Sequence, residues 1–101
     1  QLEHVYNYPN PFTSNTNFMF EHNMPNQNLQ VSINIYSVSG KTVKSIRTIV
    51  NTEGTRCDNI PWDGRDEFGD KLAKGVYIYK LSVKAPNGFA DTKYQKLILL
   101  N

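Results

Sequence analysis

Apolar and polar side chains alternate with a period of two along most of this chain, and helical spacing is nearly absent. The clearest stretch runs from Leu29 to Tyr36. Leu29, Val31, Ile33 and Ile35 fall on one face and Gln30, Ser32, Asn34 and Tyr36 on the other, the mark of an antiparallel strand with one wet side. Ser37-Val38-Ser39-Gly40-Lys41 follows as a turn in which Gly40 is free to take positive φ. Thr42 to Val50 then returns as the partner strand of a hairpin. Upstream, Asn15 to His22 sets Thr16, Phe18 and Phe20 against Asn17, Met19 and Glu21, and stops at the turn cluster Asn23-Met24-Pro25-Asn26.

Downstream, Arg56 to Trp62 is a shorter strand that buries Ile60 and Trp62. Pro61 cannot donate to a ladder, which demotes this strand towards a sheet edge or a bulge. A polar connection, Asp63 to Lys74, leads into Gly75 to Val83, with Tyr77, Tyr79, Leu81 and Val83 on one face. Ala85-Pro86-Asn87-Gly88 contains Asn-Gly, a strong hairpin signal, and a last strand runs from about Thr92 to Leu100. Six or seven short strands separated by turn signals predict an all-β fold, an Ig-like antiparallel sandwich of about seven strands. Its core is expected to hold Phe18, Phe20, the Leu29-to-Ile35 set, Ile60, Trp62 and the Tyr77-to-Val83 set.

A length of 101 residues is one domain's worth, so residues 1–101 are read as a single unit, with 1–7 as a loose lead-in. Hydrophobic residues at 39% and charged residues at 20% place the chain among folded domains. The net charge of +2 is mild, and Lys41, Lys44 and Arg47 form its local basic cluster. Nucleic-acid binding wants a denser basic stripe with aromatic platforms beside it, so no nucleic-acid partner is expected. A lone cysteine, Cys57, excludes an internal disulfide and a cysteine-ligated zinc site, and reads as a small strand residue. No run approaches the ~20 apolar residues of a membrane helix, so direct membrane insertion is not expected. Gln1-Leu2-Glu3-His4 lacks the basic and apolar regions of a signal peptide; for an exported protein the leader is expected outside residues 1–101.

Catalysis needs a nucleophile, a base and a group that orients the base. His4 and His22 sit beside no Ser, Cys or carboxylate at triad-like spacing, and both read as solvated. Ser37 and Ser39 flank a turn without a Gly-x-Ser-x-Gly elbow. No catalytic residue, cofactor or metal ligand is assigned. The run Asp63-Gly64-Arg65-Asp66-Glu67-Phe68-Gly69-Asp70 offers four carboxylates. However, Arg65 falls where a calcium loop needs a ligand and Phe68 where it needs Gly, so the run reads as a turn. Tyr8-Pro9-Asn10-Pro11-Phe12 lacks Pro-x-x-Pro spacing and reads as structural, with Tyr8 and Phe12 capping an open end of the sandwich. A carbohydrate-binding module would want coplanar exposed aromatics; Tyr36 and Tyr94 are candidates, but two do not make a platform.

The ending Lys96-Leu97-Ile98-Leu99-Leu100-Asn101 is apolar without polar alternation, so it is either covered on both faces or available to a partner. At a sheet edge, its free N–H and C=O groups would allow strand addition by another protein or self-association.

Three stretches in order, Tyr8-Pro9-Asn10-Pro11-Phe12, Trp62-Asp63-Gly64-Arg65-Asp66 and Gly75-Val76-Tyr77-Ile78-Tyr79, give the chain a family resemblance. Ile35-Tyr36-Ser37-Val38-Ser39-Gly40-Lys41 lies between the first two. The pattern resembles the Ig-like domain of flagellar hook-capping proteins, and equally the C-terminal sorting domains of Bacteroidetes type IX secretion cargo. The closing Gly75-to-Tyr77 strand, turn and Lys96-to-Leu100 strand resemble the second branch. That resemblance implies a non-catalytic secretion signal, passing through the periplasm to the outer membrane and cell surface. Its implied partners are the translocon, outer-membrane shuttle and sortase. In most such cargo the sortase removes the domain and joins the passenger to an anionic lipopolysaccharide anchor. The resemblance extends to the C-terminal domain of the sortase itself, where it implies a retained docking element with cysteine-protease chemistry elsewhere. The residues it puts forward for recognition are Gly75, Tyr77, Lys96, Leu97, Ile98, Leu99 and Leu100. The alternative is a structural assembly or spacer domain of a surface machine.

Overall fold

A computed structural model describes residues 2–23, 27–51 and 56–100, with 56–59 by backbone alone. Among these, seven strands follow one another: β1 (Glu3–Tyr8), β2 (Thr16–Glu21), β3 (Asn28–Tyr36), β4 (Thr42–Asn51), β5 (Arg56–Trp62), β6 (Gly75–Lys84) and β7 (Ala90–Leu99). They form two antiparallel sheets, β1-β2-β5 and β4-β3-β6-β7. The fold is the expected Ig-like β-sandwich.

The period-two pattern explains how the sheets face each other. Along β3, Leu29, Val31, Ile33 and Ile35 are buried while their neighbours are half-buried or exposed. On β6, Tyr77, Tyr79, Leu81 and Val83 do the same, in register with β3 through Ile33↔Leu81 and Ile35↔Tyr79. From the opposite sheet come Phe18 and Phe20 of β2, and Ile60 and Trp62 of β5. The Phe18 ring meets Tyr79 edge-on at 4.8 Å and stacks on Trp62 at 6.2 Å, bridging the two sheets. Each such buried aromatic contributes about 1.5–3 kcal/mol by area, with roughly 0.5–1.5 kcal/mol more per aromatic pair. Pro61 stands on β5, an edge strand, as its missing N–H requires.

Two expectations change. Residues 3–8 are not a loose lead-in but strand β1, paired with β2 through Tyr6↔Met19 and Tyr8↔Asn17. Leu2 and Val5 are buried in the core, and the Leu2 amide donates to the Asp91 carboxylate at 2.9 Å, tying the start of the chain to β7. His4 lies on β1 at a register shift, with φ 50°, and its Nδ1 is 2.7 Å from Glu21 Oε1. His22 is buried, not solvated, at 4% exposure, because the chain leaving β2 folds its ring over Phe20 at 5.9 Å. Burial pushes its pKa below the usual histidine value. In the turn cluster at 23–26, residues 24–26 lie outside the described residues, as does the side chain of Cys57.

Candidate docking surface at the end of the last strand

The three motifs that are far apart in sequence meet at one end of the sandwich, around the C-terminal half of β7. Both X-Pro bonds of the Tyr8-Pro9-Asn10-Pro11-Phe12 run are cis. The run lies along the outer edge of β7 and hydrogen-bonds to it. Phe12 N donates to Ile98 O at 3.0 Å, and Leu100 N donates to Phe12 O at 2.8 Å. Two positions earlier the Asn10 carboxamide does what a strand's peptide group would do: Oδ1 accepts from Ile98 N at 3.0 Å and Nδ2 donates to Lys96 O at 3.1 Å. Asn10 is held in turn by Asn7 Oδ1 at 3.1 Å, and the buried Asn7 binds Thr16 Oγ1, also at 3.1 Å. We call this arrangement the clasp.

The Trp62-Asp63-Gly64-Arg65 motif supports the clasp from beneath. Phe12 is buried against Trp62, ring centres 5.7 Å apart, and Trp62 Nε1 donates to Arg65 O at 3.0 Å. Gly64 has φ +74°, and a Cβ there would sit 3.4 Å from Phe12 Cε2 and 3.6 Å from Leu99 Cδ1. Glycine is therefore required by the left-handed turn, while a Cβ would meet its neighbours only in ordinary contact. The acidic run beyond it is a self-satisfied turn: Asp63 Oδ1 accepts from Arg65 N, and Asp66 Oδ1 from Phe68 N and Asp70 N. Its Glu67 covers the edge of β4 at the same end, donating its N–H to Val43 O at 3.2 Å and accepting from Ser45 N at 2.8 Å.

Of the seven residues put forward for recognition, four are structural. Leu97 and Leu99 are in the core at 0% and 3% exposure, and Tyr77 is buried with its hydroxyl donating to Ala73 O at 2.7 Å. That burial raises the Tyr77 pKa. Gly75, at φ +154°, starts β6 opposite Leu99. Nor are the outward backbone groups of Lys96 to Leu100 open for strand addition at this point: the carbonyl of Lys96, both groups of Ile98 and the amide of Leu100 are taken by the clasp.

Lys96, Ile98 and Leu100 instead face outward, and the register places them beside Val76 and Ile78 of β6. Val76 and Ile78 were missed because the pattern of β6 draws attention to its tyrosine face. The same end carries Phe68 at the tip of the acidic turn and Val38 in the β3–β4 turn, exposed at 90% and 77%. Leu100 and Val76 are 54% and 41% exposed. Apolar side chains so open, gathered on one end of a small domain, are the usual mark of a contact surface.

An all-β Ig-like sandwich with a closed last strand is the class of protein that fold and site define. The FlgD Ig-like domain family matches residues 7–88, and the chain belongs to that family. No curated protein matches the chain. Among solved structures it is similar to dimeric latent PorU from Porphyromonas gingivalis, with 29% identity and a TM-score of 0.81. The match covers 95% of this chain and 9% of PorU. It also resembles CopC from Methylosinus trichosporium OB3b at 16% identity and a TM-score of 0.52, covering 95% and 93% of the two chains, a likeness of fold alone.

Proposed function

We propose that the domain is a non-catalytic docking and sorting module of a type IX-secreted cell-surface protein, recognised as a folded unit. It would pass through the periplasm to the outer membrane and engage the translocon, shuttle and sortase. The observation that carries this reading is the exposed apolar end formed by Val76, Ile98, Leu100, Val38 and Phe68, beside a last strand whose edge is already filled. A partner at this end therefore reads side chains and does not add a strand to Lys96–Leu100. Similarity to PorU, and the motif resemblance to sorting domains, support the same reading. Membership of the FlgD Ig-like family supports a second one equally well: an assembly or spacer domain, packed within a larger surface machine through this end.

The test fuses residues 1–101 to the C-terminus of an exported fluorescent protein in a type IX-competent bacterium. Deleting Lys96 to Asn101 would be a poor control, since it removes Leu97 and Leu99 from the core. Losing two buried leucines costs about 2–5 kcal/mol each, of the order of a domain's whole stability. Val76→Asp with Leu100→Asp leaves the core intact and changes only the exposed end. Surface delivery of the parent fusion, with periplasmic retention of the folded double variant, supports the sorting reading. Equal retention of both refutes a portable signal and leaves the assembly reading. Equal delivery of both moves recognition away from this end.

A further inference from the structure

The outer face of the four-stranded sheet extends from the apolar end described above to the opposite end of the domain, and its charge is one-sided. Register places the outward side chains in cross-strand rows. Arg47, Ser32, Ser82 and Thr92 form one row; Ile49, Gln30, Lys84 and Ala90 form the next. On the other side, Ser45, Asn34, Lys80 and Tyr94 lead to a row holding Tyr36, Ile78 and Lys96. Arg47, Lys80, Lys84 and Lys96 thus share this face, and no carboxylate stands on it among the described residues. None of the four forms an ion pair within the described part of the chain. Acidic side chains are held elsewhere: Glu21 by His4, Glu67 against the β4 edge, Asp63 and Asp66 within their own turn, Asp91 on the Leu2 amide.

The face is also hollow. Ser32, Ser82 and Thr92 line a trough of about 550 Å³ together with Arg47, Ile49, Lys84 and the apolar Val31, Val83 and Ala90. Ser82 Oγ and Thr92 Oγ1 share a hydrogen bond of 3.1 Å within it. Like charge around the hollow, with no carboxylate on this face among the described residues, repels itself and is relieved by an anion. We propose that this trough receives an extended, acidic segment of a protein partner, carrying Asp or Glu carboxylates to Arg47 and Lys84. The choice of a protein rests on the docking reading: the same sheet face continues beyond the trough through Lys80, Tyr94 and Lys96 to the apolar end, so a partner seated there lies over both. Apolar contact would supply affinity, while the trough supplies orientation and a salt-sensitive association rate.

The test titrates the isotope-labelled chain with a synthetic peptide of alternating Glu and Ser, following amide resonances. Shifts confined to the strands around Ser32, Ser82 and Thr92 are expected, weakening steeply as salt rises. Arg47→Glu with Lys84→Glu should lower affinity about tenfold or more, the scale of one or two lost charge contacts. Lys71→Glu with Lys74→Glu, equal in charge but on the β5–β6 connection, should leave it unchanged. Val76→Asp, which interrupts the apolar end, should leave peptide binding close to the parent's, so failure of this proposal is distinguishable from failure of the docking reading. Absent shifts, shifts spread over the whole surface, or equal loss in the Lys71/Lys74 variant would each overturn it. Tighter binding of a heparin fragment than of the peptide, at the same residues, would assign the trough to an anionic glycan and overturn the protein partner. Tighter binding of single-stranded oligonucleotide there would do so in favour of nucleic acid.

Discussion

Replacing Asn10 with alanine tests whether a side-chain amide holds the last strand's edge. The substitution removes the bonds to Ile98 N and Lys96 O and the bond to Asn7 Oδ1, while leaving Phe12 in its pocket. A net hydrogen bond is worth about 1 kcal/mol, and less where water can replace it, as it can for the two bonds on the exposed edge of β7. The Asn7 bond is part-buried and keeps more of its value. Together these give about 2 kcal/mol. For a domain of this size, 1 kcal/mol moves the melting point by roughly 4–8 °C, so Asn10→Ala should melt roughly 10 °C lower.

Global destabilisation by any mechanism would do that, so amide exchange supplies the specific readout. Ile98 N–H points at Asn10 and should lose protection beyond the global drop. The amide of Leu99, whose carbonyl and N–H alternate towards β6, should follow the global drop alone. The reasoning fails if Asn10→Ala melts within about two degrees of the parent, or if Ile98 and Leu99 lose protection equally.

Tyr79→Phe should stabilise the domain by about 1 kcal/mol, read in a denaturant titration. The hydroxyl it removes is fully buried with no hydrogen-bond partner among the described residues, which also drives its pKa up beyond the ordinary tyrosine range. Gly64→Ala should cost about 1–2 kcal/mol from left-handed backbone strain, the added methyl fitting in ordinary contact with Phe12 and Leu99; a melt unchanged from the parent would refute that placement of the turn. The pKa of His22 is lowered by burial, so its unfolded form binds a proton first. Its contribution is whole above the unfolded pKa near 6.5 and is lost as pH falls from there towards the lower folded value. His22→Gln should flatten the stability profile in that window, and a profile as steep as the parent's would exclude His22 as its cause.

The strands were legible where the two faces differ sharply in polarity. Leu29-to-Ile35 and Tyr77-to-Val83 state their inward faces without ambiguity, and both are buried as read. β1 was missed because its pattern is inverted: Asn7 goes inward to bind Thr16 while Tyr6 and Tyr8 stay outside, so the polar residue marks the core side. His22 was misread for a related reason, since a polar ring at a strand's end gives no sign of being covered by tertiary packing. Lys96 to Leu100 read as either covered on both faces or available to a partner; Leu97 and Leu99 are buried while Leu100 stays exposed. The sequence could not show that the edge is used too, because the partner is a side-chain amide 86 residues away.

That convergence bears on what the motifs mean. Tyr8 to Phe12, Trp62 to Arg65 and Gly75 to Tyr77 look like three separate signatures in the sequence, yet Phe12 packs on Trp62, Gly64 packs on Phe12 and Leu99, and Gly75 pairs with Leu99. They are one packing unit whose common task is to close the end of β7. Any domain that closes its last strand in this way must keep them, whatever it binds, so matching them speaks for the fold and leaves the partner open. On the docking proposal, partner choice resides in residues this unit leaves free: Val76, Ile98 and Leu100 at the apolar end, Phe68 and Val38 beside them, Arg47 and Lys84 across the sheet. Two domains that share the three motifs but differ at those positions should therefore fold alike and dock differently. Grafting those outward residues alone from one such domain onto another should transfer docking, whereas grafting the motifs should transfer nothing.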